Sequence, residues 1–202
     1  MEQKKIGLYI HIPFCKQKCF YCDFPSYPGM EGYWKSYIDA LMLELMLKAE
    51  EYKNTCVETV FIGGGTPSII PARYISEILD TVYSHYNVSS DYECTIECNP
   101  GTLTDEKLKI YKNSGINRLS IGLQACQDSI LKALGRIHTF DDFLTSLKLA
   151  RKHEFDNINA DIIFGIPNQT FEQWQETVAQ IISLDLAHVS CYSLLIEEGT
   201  VY

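Results

Sequence analysis

Cys15, Cys19 and Cys22 fall within the stretch Phe14-Cys15-Lys16-Gln17-Lys18-Cys19-Phe20-Tyr21-Cys22-Asp23-Phe24. Cysteines this close together have the chemistry of metal ligands, but a structural zinc or an ordinary iron–sulfur cluster takes four protein ligands. With three, either a fourth lies elsewhere in the chain or one position is open. A closed shell marks a structural metal, an open position a reactive one. Two alternatives compete. The i, i+4, i+7 spacing would line the thiols along one stripe of a helix, although Pro13 and Pro25 leave little room for one between them. A zinc site would need Cys94, Cys98 or a histidine to complete it. Cys94 and Cys98 share the apolar face of a strand with Tyr92 and Ile96, so they read as buried thiols, as do Cys56, Cys126 and Cys191. The third reading is a [4Fe–4S] cluster on three thiolates, with one iron free for an external ligand.

Other residues fit a site beside that loop. Phe61-Ile62-Gly63-Gly64-Gly65-Thr66-Pro67-Ser68 follows a strand. It lacks the Gly-Lys-Ser/Thr of a phosphate loop, and Ser68 breaks the dinucleotide glycine spacing. Alone it would make a tight turn. Beside a cluster loop it offers bare backbone to a ligand. Glu97, Gln124, Arg136 and Asp161 stand at or near the ends of later strands. Glu97 and Asp161 are embedded in apolar runs, where an unpaired carboxylate is costly, so both read as facing a site. His11 and His138 read as packed residues, because a lone histidine is no sign of ligation.

These residues are carried by an alternation of strands and helices. Strands are expected over Ile6–Ile12, Val57–Ile62, Tyr92–Cys98, Asn117–Leu123, Asn157–Phe164 and His188–Leu195. Between them, Tyr33–Tyr52 repeats Trp34, Ile38, Leu41 and Leu45 at helical spacing, and Pro71 precedes the stripe Ile75, Ile78, Leu79, Val82. Thr104, Thr139 with Asp142, and Thr170 with Gln173 read as helix starts, and Gly115 as a stop. Such βα units build a parallel sheet, either doubly wound or closed toward a barrel. The strand faces help to choose between them. In Arg118–Gln124, Leu119, Ile121 and Leu123 oppose Arg118, Ser120, Gly122 and Gln124; in Tyr92–Asn99, Glu93, Thr95, Glu97 and Asn99 share a polar face. A sheet covered on both sides reads as apolar on both faces. The polar face suits an incomplete barrel around a polar ligand. The last strand has no helix after it, so the 202 residues read as one domain, a fragment of a longer protein.

Composition bounds what the domain does. The 46% of apolar residues suffice for a core. A net charge of −9 argues against a nucleic-acid partner, since a phosphate backbone needs a basic stripe. No run is long and apolar enough for a transmembrane segment, and the start is not a signal peptide. A cytoplasmic location follows, in which eight cysteines are thiols or metal ligands rather than a disulfide framework.

Cys-x3-Cys-x2-Cys, with an aromatic residue before the last cysteine, resembles the radical S-adenosylmethionine (SAM) superfamily. With "FIGGGTPS", "TIECNP", "RLSIGLQ", "ALGRIH", "NADIIFGIPNQT" and "HVSCYSLLIEEGT", the chain resembles the oxygen-independent coproporphyrinogen III oxidase family from end to end. That resemblance implies a partial (β/α)6 TIM-like barrel of the radical SAM type. It implies a [4Fe–4S] cluster on Cys15, Cys19 and Cys22 whose unique iron binds SAM, and reductive cleavage of SAM to a 5′-deoxyadenosyl radical. It carries SAM contacts over to Tyr9, Gly64, Gly65, Thr66, Glu97, Gln124, Arg136 and Asp161, with Ser193 near the adenine or ribose. The decarboxylating oxidases of the family have another cysteine two residues after the third. Here that position is Phe24, which is similar to the HemW branch of heme chaperones. The branch implies heme or porphyrin as cargo, a heme-acceptor protein, and an electron donor such as flavodoxin or ferredoxin. The alternative within the family is oxidative decarboxylation or another radical reaction on a tetrapyrrole. The heme motif proposed for the branch lies beyond these residues, so heme rests on the resemblance alone.

Overall fold

The computed structural model describes residues 3–202. Six parallel strands form its sheet: β1 (Lys4–Ile12), β2 (Thr55–Gly64), β3 (Val88–Cys98), β4 (Arg118–Gln124), β5 (Ile158–Phe164) and β6 (His188–Ser193). They pair in chain order, β1 to β6, each neighbour parallel to the last. A doubly wound sheet would reverse its order at a switch point. This one never reverses. β1 and β6 each have a single partner, so the sheet curls without closing.

Six helices connect the strands: α1 (Trp34–Ala49), α2 (Ala72–His85), α3 (Asp105–Asn113), α4 (Asp128–Ala133), α5 (Phe140–Lys152) and α6 (Phe171–Ser183). Thr139 with Asp142, and Thr170 with Gln173, form reciprocal capping boxes at α5 and α6. Thr104 accepts from the Lys107 N–H at the start of α3, and Gly115, at φ 88°, follows its end. The long helix expected over Tyr33–Tyr52 is instead an α-helix flanked by 3-10 turns at Glu31–Tyr33 and Glu50–Tyr52. The sequence reading missed α4, which is too short to show a period.

The two sheet faces differ as the alternation requires. Ile10, Ile12, Val60, Ile62, Cys94, Ile96, Leu119, Ile121, Leu123, Ile158, Ala160 and Ile162 are buried beneath the helices. Their intervening neighbours, among them Glu97, Ser120 and Asp161, face the concave side and line a common cavity. Cys94 and Cys98 are buried as expected, and burial raises each thiol to about 12, so both stay protonated and poor metal ligands. Three other cysteines depart from the expectation of burial. Cys191 is exposed on β6, and Cys56 and Cys126 are half-buried.

Ile121 has no exposed surface and lies at the middle of β4. Ile121→Ala therefore lowers unfolding free energy by about 2–5 kcal/mol through the cavity it leaves, as measured by urea denaturation.

Candidate functional site

The loop after β1 carries the three cysteines. It folds back on itself through a two-residue ladder that pairs Phe14 and Cys15 with Tyr27 and Pro28. The Phe20 N–H donates to the Leu134 carbonyl at 3.0 Å, and Gln17 Nε2 donates to the Gly135 carbonyl at 3.0 Å. These bonds tie the loop to the turn before Arg136. On the other side, the Gly65 N–H donates to the Ile12 carbonyl at 2.9 Å, and the Thr66 N–H to the Phe14 carbonyl at 2.7 Å. A Cβ on Gly65 would lie 2.7 Å from the Phe14 oxygen and 3.0 Å from Cys15 Sγ. Only glycine fits that contact. Gly64 adopts φ 115°, and a side chain there would strike the His11 ring at 2.5 Å.

His11 is a strut under these loops. Its Nε2 donates to the Pro25 carbonyl at 2.9 Å, and its Nδ1 and the Tyr9 hydroxyl are hydrogen-bonded at 3.1 Å. His138 is also a packed residue. Burial first, and then the nearby Arg136 charge, push it down to about 4, and its Nε2 donates to the Leu123 carbonyl at 3.2 Å.

A cavity of about 440 Å³ opens at the carboxyl ends of the strands, a volume suited to a small ligand. Cys15, Cys19 and Cys22 line it, together with Gly64, Gly65, Thr66, Glu97, Gln124, Arg136, Asp161 and Ser193. Tyr9 is not on its wall. It lies exposed on the edge strand β1 and stacks on Phe61, which does line the cavity, at a ring separation of 6.1 Å. Gln124 reaches the cavity at φ 77°, where the β4–β5 register slips. Asp161 accepts from Ser120 Oγ at 3.2 Å and Asn159 Nδ2 at 2.9 Å. Neither Ser120 nor Asn159 is among the site residues expected from the sequence, although Ser120 reads as part of the polar face of its strand.

Glu97 accepts from the Gly64 N–H at 3.0 Å. Burial nonetheless raises its carboxyl to about 7, with the Gly64 bond opposing and Asp161 adding to the rise. Arg136 is half-buried between the cysteine loop and the barrel. Burial works against its charge, but Tyr21 and Cys19 raise its pKa on balance, so it stays a cation. It donates to Cys19 Sγ at 3.4 Å, to the Asn99 side-chain oxygen at 2.7 Å and to the Gly122 carbonyl at 2.7 Å. Thr66 Oγ1 donates to Cys15 Sγ at 3.6 Å.

Two donors aimed at two sulfurs, one from a cation, suit thiolates rather than thiols. Among the described residues, no three His, Cys, Asp or Glu side chains converge on a point for one metal ion. Three thiols spread around a shared cavity fit a cluster in which each holds a different iron.

The radical SAM superfamily model matches residues 9–181. The chain belongs to the radical SAM superfamily. It is 40% identical over 195 residues to heme chaperone HemW of Bacillus subtilis (strain 168), covering 96% of this chain and 52% of that one. Heme chaperone HemW of Escherichia coli (strain K12) is 37% identical over 199 residues, with 98% and 52% covered. The chain thus spans about half the length of these curated relatives. Among solved structures, coproporphyrinogen III oxidase (HemN) from Escherichia coli, a radical SAM enzyme, superposes with a TM-score of 0.88 at 27% identity over 96% of this chain and 45% of that one. Native anSMEcpe with bound AdoMet shares the fold alone, with a TM-score of 0.70 at 16% identity, covering 97% of this chain and 54% of that one. The curled parallel sheet is thus the partial barrel of the radical SAM type, and the family implies a [4Fe–4S] cluster and SAM.

Because the Glu97 pKa is raised by folding, the folded chain holds a proton that the unfolded chain releases above its ordinary value of 4.5. That contribution to stability is present below pH 4.5 and lost as pH rises through about 7. Glu97→Gln removes this dependence. The stability difference between pH 5 and pH 8 shrinks by on the order of 3 kcal/mol, as measured by urea denaturation of cluster-free protein at the two pH values.

Proposed function

We propose that this chain is the cofactor-binding core of a heme chaperone, with Cys15, Cys19 and Cys22 as the protein ligands of a [4Fe–4S] cluster. The observation that carries this reading is the 37–40% identity to proteins named heme chaperone HemW over nearly the whole of this chain. Phe24, at the cavity wall where the oxidases of the family have a further cysteine, supports the same branch. When bound, the cluster and SAM supply a reducing electron and a source of a carbon radical.

The chain's own residues would hold and orient SAM. The bare backbone of Gly64 and Gly65 leaves room for its amino-acid end against the cysteine loop. The Gly64 N–H holds one Glu97 oxygen at 3.0 Å, which leaves the carboxylate's second oxygen for a ligand amino or hydroxyl group. Gln124, Asp161 and Ser193 offer polar groups along the opposite wall. Tyr9 would close the set from the open edge, across Phe61. A cationic ligand beside Glu97 would favour the ionised carboxylate and lower its pKa.

In this reading heme or a porphyrin is the cargo and a heme-dependent protein the acceptor. A flavodoxin or ferredoxin would supply electrons in the cytoplasm. No helix among the described residues is long and apolar enough to cross a membrane. The TM-score of 0.88 to coproporphyrinogen III oxidase favours a second reading, oxidative decarboxylation of a tetrapyrrole.

The two readings separate in one experiment. The complete protein containing this chain, reconstituted anaerobically, is given coproporphyrinogen III, SAM and a reductant, and in parallel heme and an apo-acceptor. Heme uptake and transfer without decarboxylation is the expected outcome. Formation of protoporphyrinogen IX with carbon dioxide would assign the second reading instead.

A further inference from the structure

One chain of hydrogen bonds runs between two of the three thiols, through residues from three different loops. Arg136 Nη1 donates to Cys19 Sγ at 3.4 Å, and its Nη2 donates to Asn99 Oδ1 at 2.7 Å. Asn99 Nδ2 donates to Thr66 Oγ1 at 3.1 Å, and Thr66 Oγ1 donates to Cys15 Sγ at 3.6 Å. The direction of every bond is fixed by chemistry. A guanidinium only donates, so Asn99 must turn its oxygen to Arg136 and its amide to Thr66. That amide accepts nothing, so the single hydroxyl proton of Thr66 is left for the sulfur. Asn99 itself is held in place: its backbone N–H donates to Ser68 Oγ at 3.2 Å, and its carbonyl accepts from Thr102 Oγ1 at 2.6 Å. The guanidinium cation at one end polarises the bonds that follow it.

We propose that Asn99 is a positioning residue that tunes the electron affinity of the metal centre, by directing the Thr66 hydroxyl onto Cys15 while sharing Arg136 with Cys19. This rests on reading Cys15, Cys19 and Cys22 as cluster ligands. A proton aimed at a ligating sulfur stabilises added negative charge, so it favours the reduced cluster; removing it lowers the reduction potential.

Asn99→Asp isolates the effect. One carboxylate oxygen still meets Arg136, but the other has no proton to give, and the Thr66 hydroxyl then donates to it instead of to Cys15. Thr66→Val removes the hydroxyl outright, and Thr66→Ser retains it.

The test is a redox titration followed by electron paramagnetic resonance (EPR), on the complete protein reconstituted anaerobically. With Asn99 present, Thr66→Val makes reduction about tenfold less favourable, about 59 mV for one electron, and Thr66→Ser restores the original potential. In the Asn99→Asp background, Thr66→Val causes no further shift, because the hydroxyl has already left the sulfur. The added charge is common to both proteins of that pair and drops out of the comparison. If Asn99→Asp does not load a cluster, Asn99→Ala provides the same cycle without adding charge, with a smaller expected shift from Thr66→Val than in the parent.

Equal shifts from Thr66→Val in both backgrounds would overturn the proposal, as would no shift in either. A parent protein that holds no cluster at all would overturn the reading of the cysteines beneath it. The two failures are therefore distinguishable.

Discussion

The mouth of the barrel depends on how closely two loops approach. The Gly65 N–H meets the Ile12 carbonyl at 2.9 Å and the Thr66 N–H meets the Phe14 carbonyl at 2.7 Å. These bonds lay the glycine loop after β2 against the cysteine loop after β1, and the absence of a side chain at Gly65 lets them form. That contact places Thr66 beside Cys15 and sets the Gly64 N–H on Glu97. From Gly7 onward, beyond a register slip after Ile6, β1 and β2 pair without interruption up to the loops, so the register there sets the spacing of the two loops.

A second constraint concerns the concave face. Uncompensated charge inside a protein is costly, yet the cavity on this side is lined by Glu97, Asp161 and Arg136. Arg136 is satisfied by oxygens and a sulfur, and Asp161 by Ser120 and Asn159. Glu97 has one backbone donor, and its carboxyl rises to about 7. An acid left short of partners at the edge of a cavity is suited to a ligand that brings positive charge or hydrogen-bond donors. Stability of the ligand-free chain and affinity for such a ligand are thereby coupled through one side chain.

Much of this was legible in the sequence, for identifiable reasons. The six strands show as β-rich apolar runs, and five of the helices as an apolar stripe at helical spacing or an end signal such as Thr139 with Asp142. The barrel reading came from strands whose polar residues alternate with buried aliphatic ones, as Ser120 and Gly122 do between Leu119, Ile121 and Leu123. What escaped was whatever needs three dimensions. Asn99 was visible as the last polar residue of a strand face, but its place between Thr66 and Arg136 depends on loops far apart in the chain. Helix α4 has six residues, fewer than two turns, and so no readable period.

The central claim is that three thiolates leave one metal position open and that the cavity beside it holds SAM. The most direct measurement is the EPR spectrum of the reduced, anaerobically reconstituted protein during titration with SAM. The account predicts that the g values of the cluster signal change as SAM is added and saturate at one SAM per cluster. An intact cluster whose spectrum is unaltered by saturating SAM would contradict it.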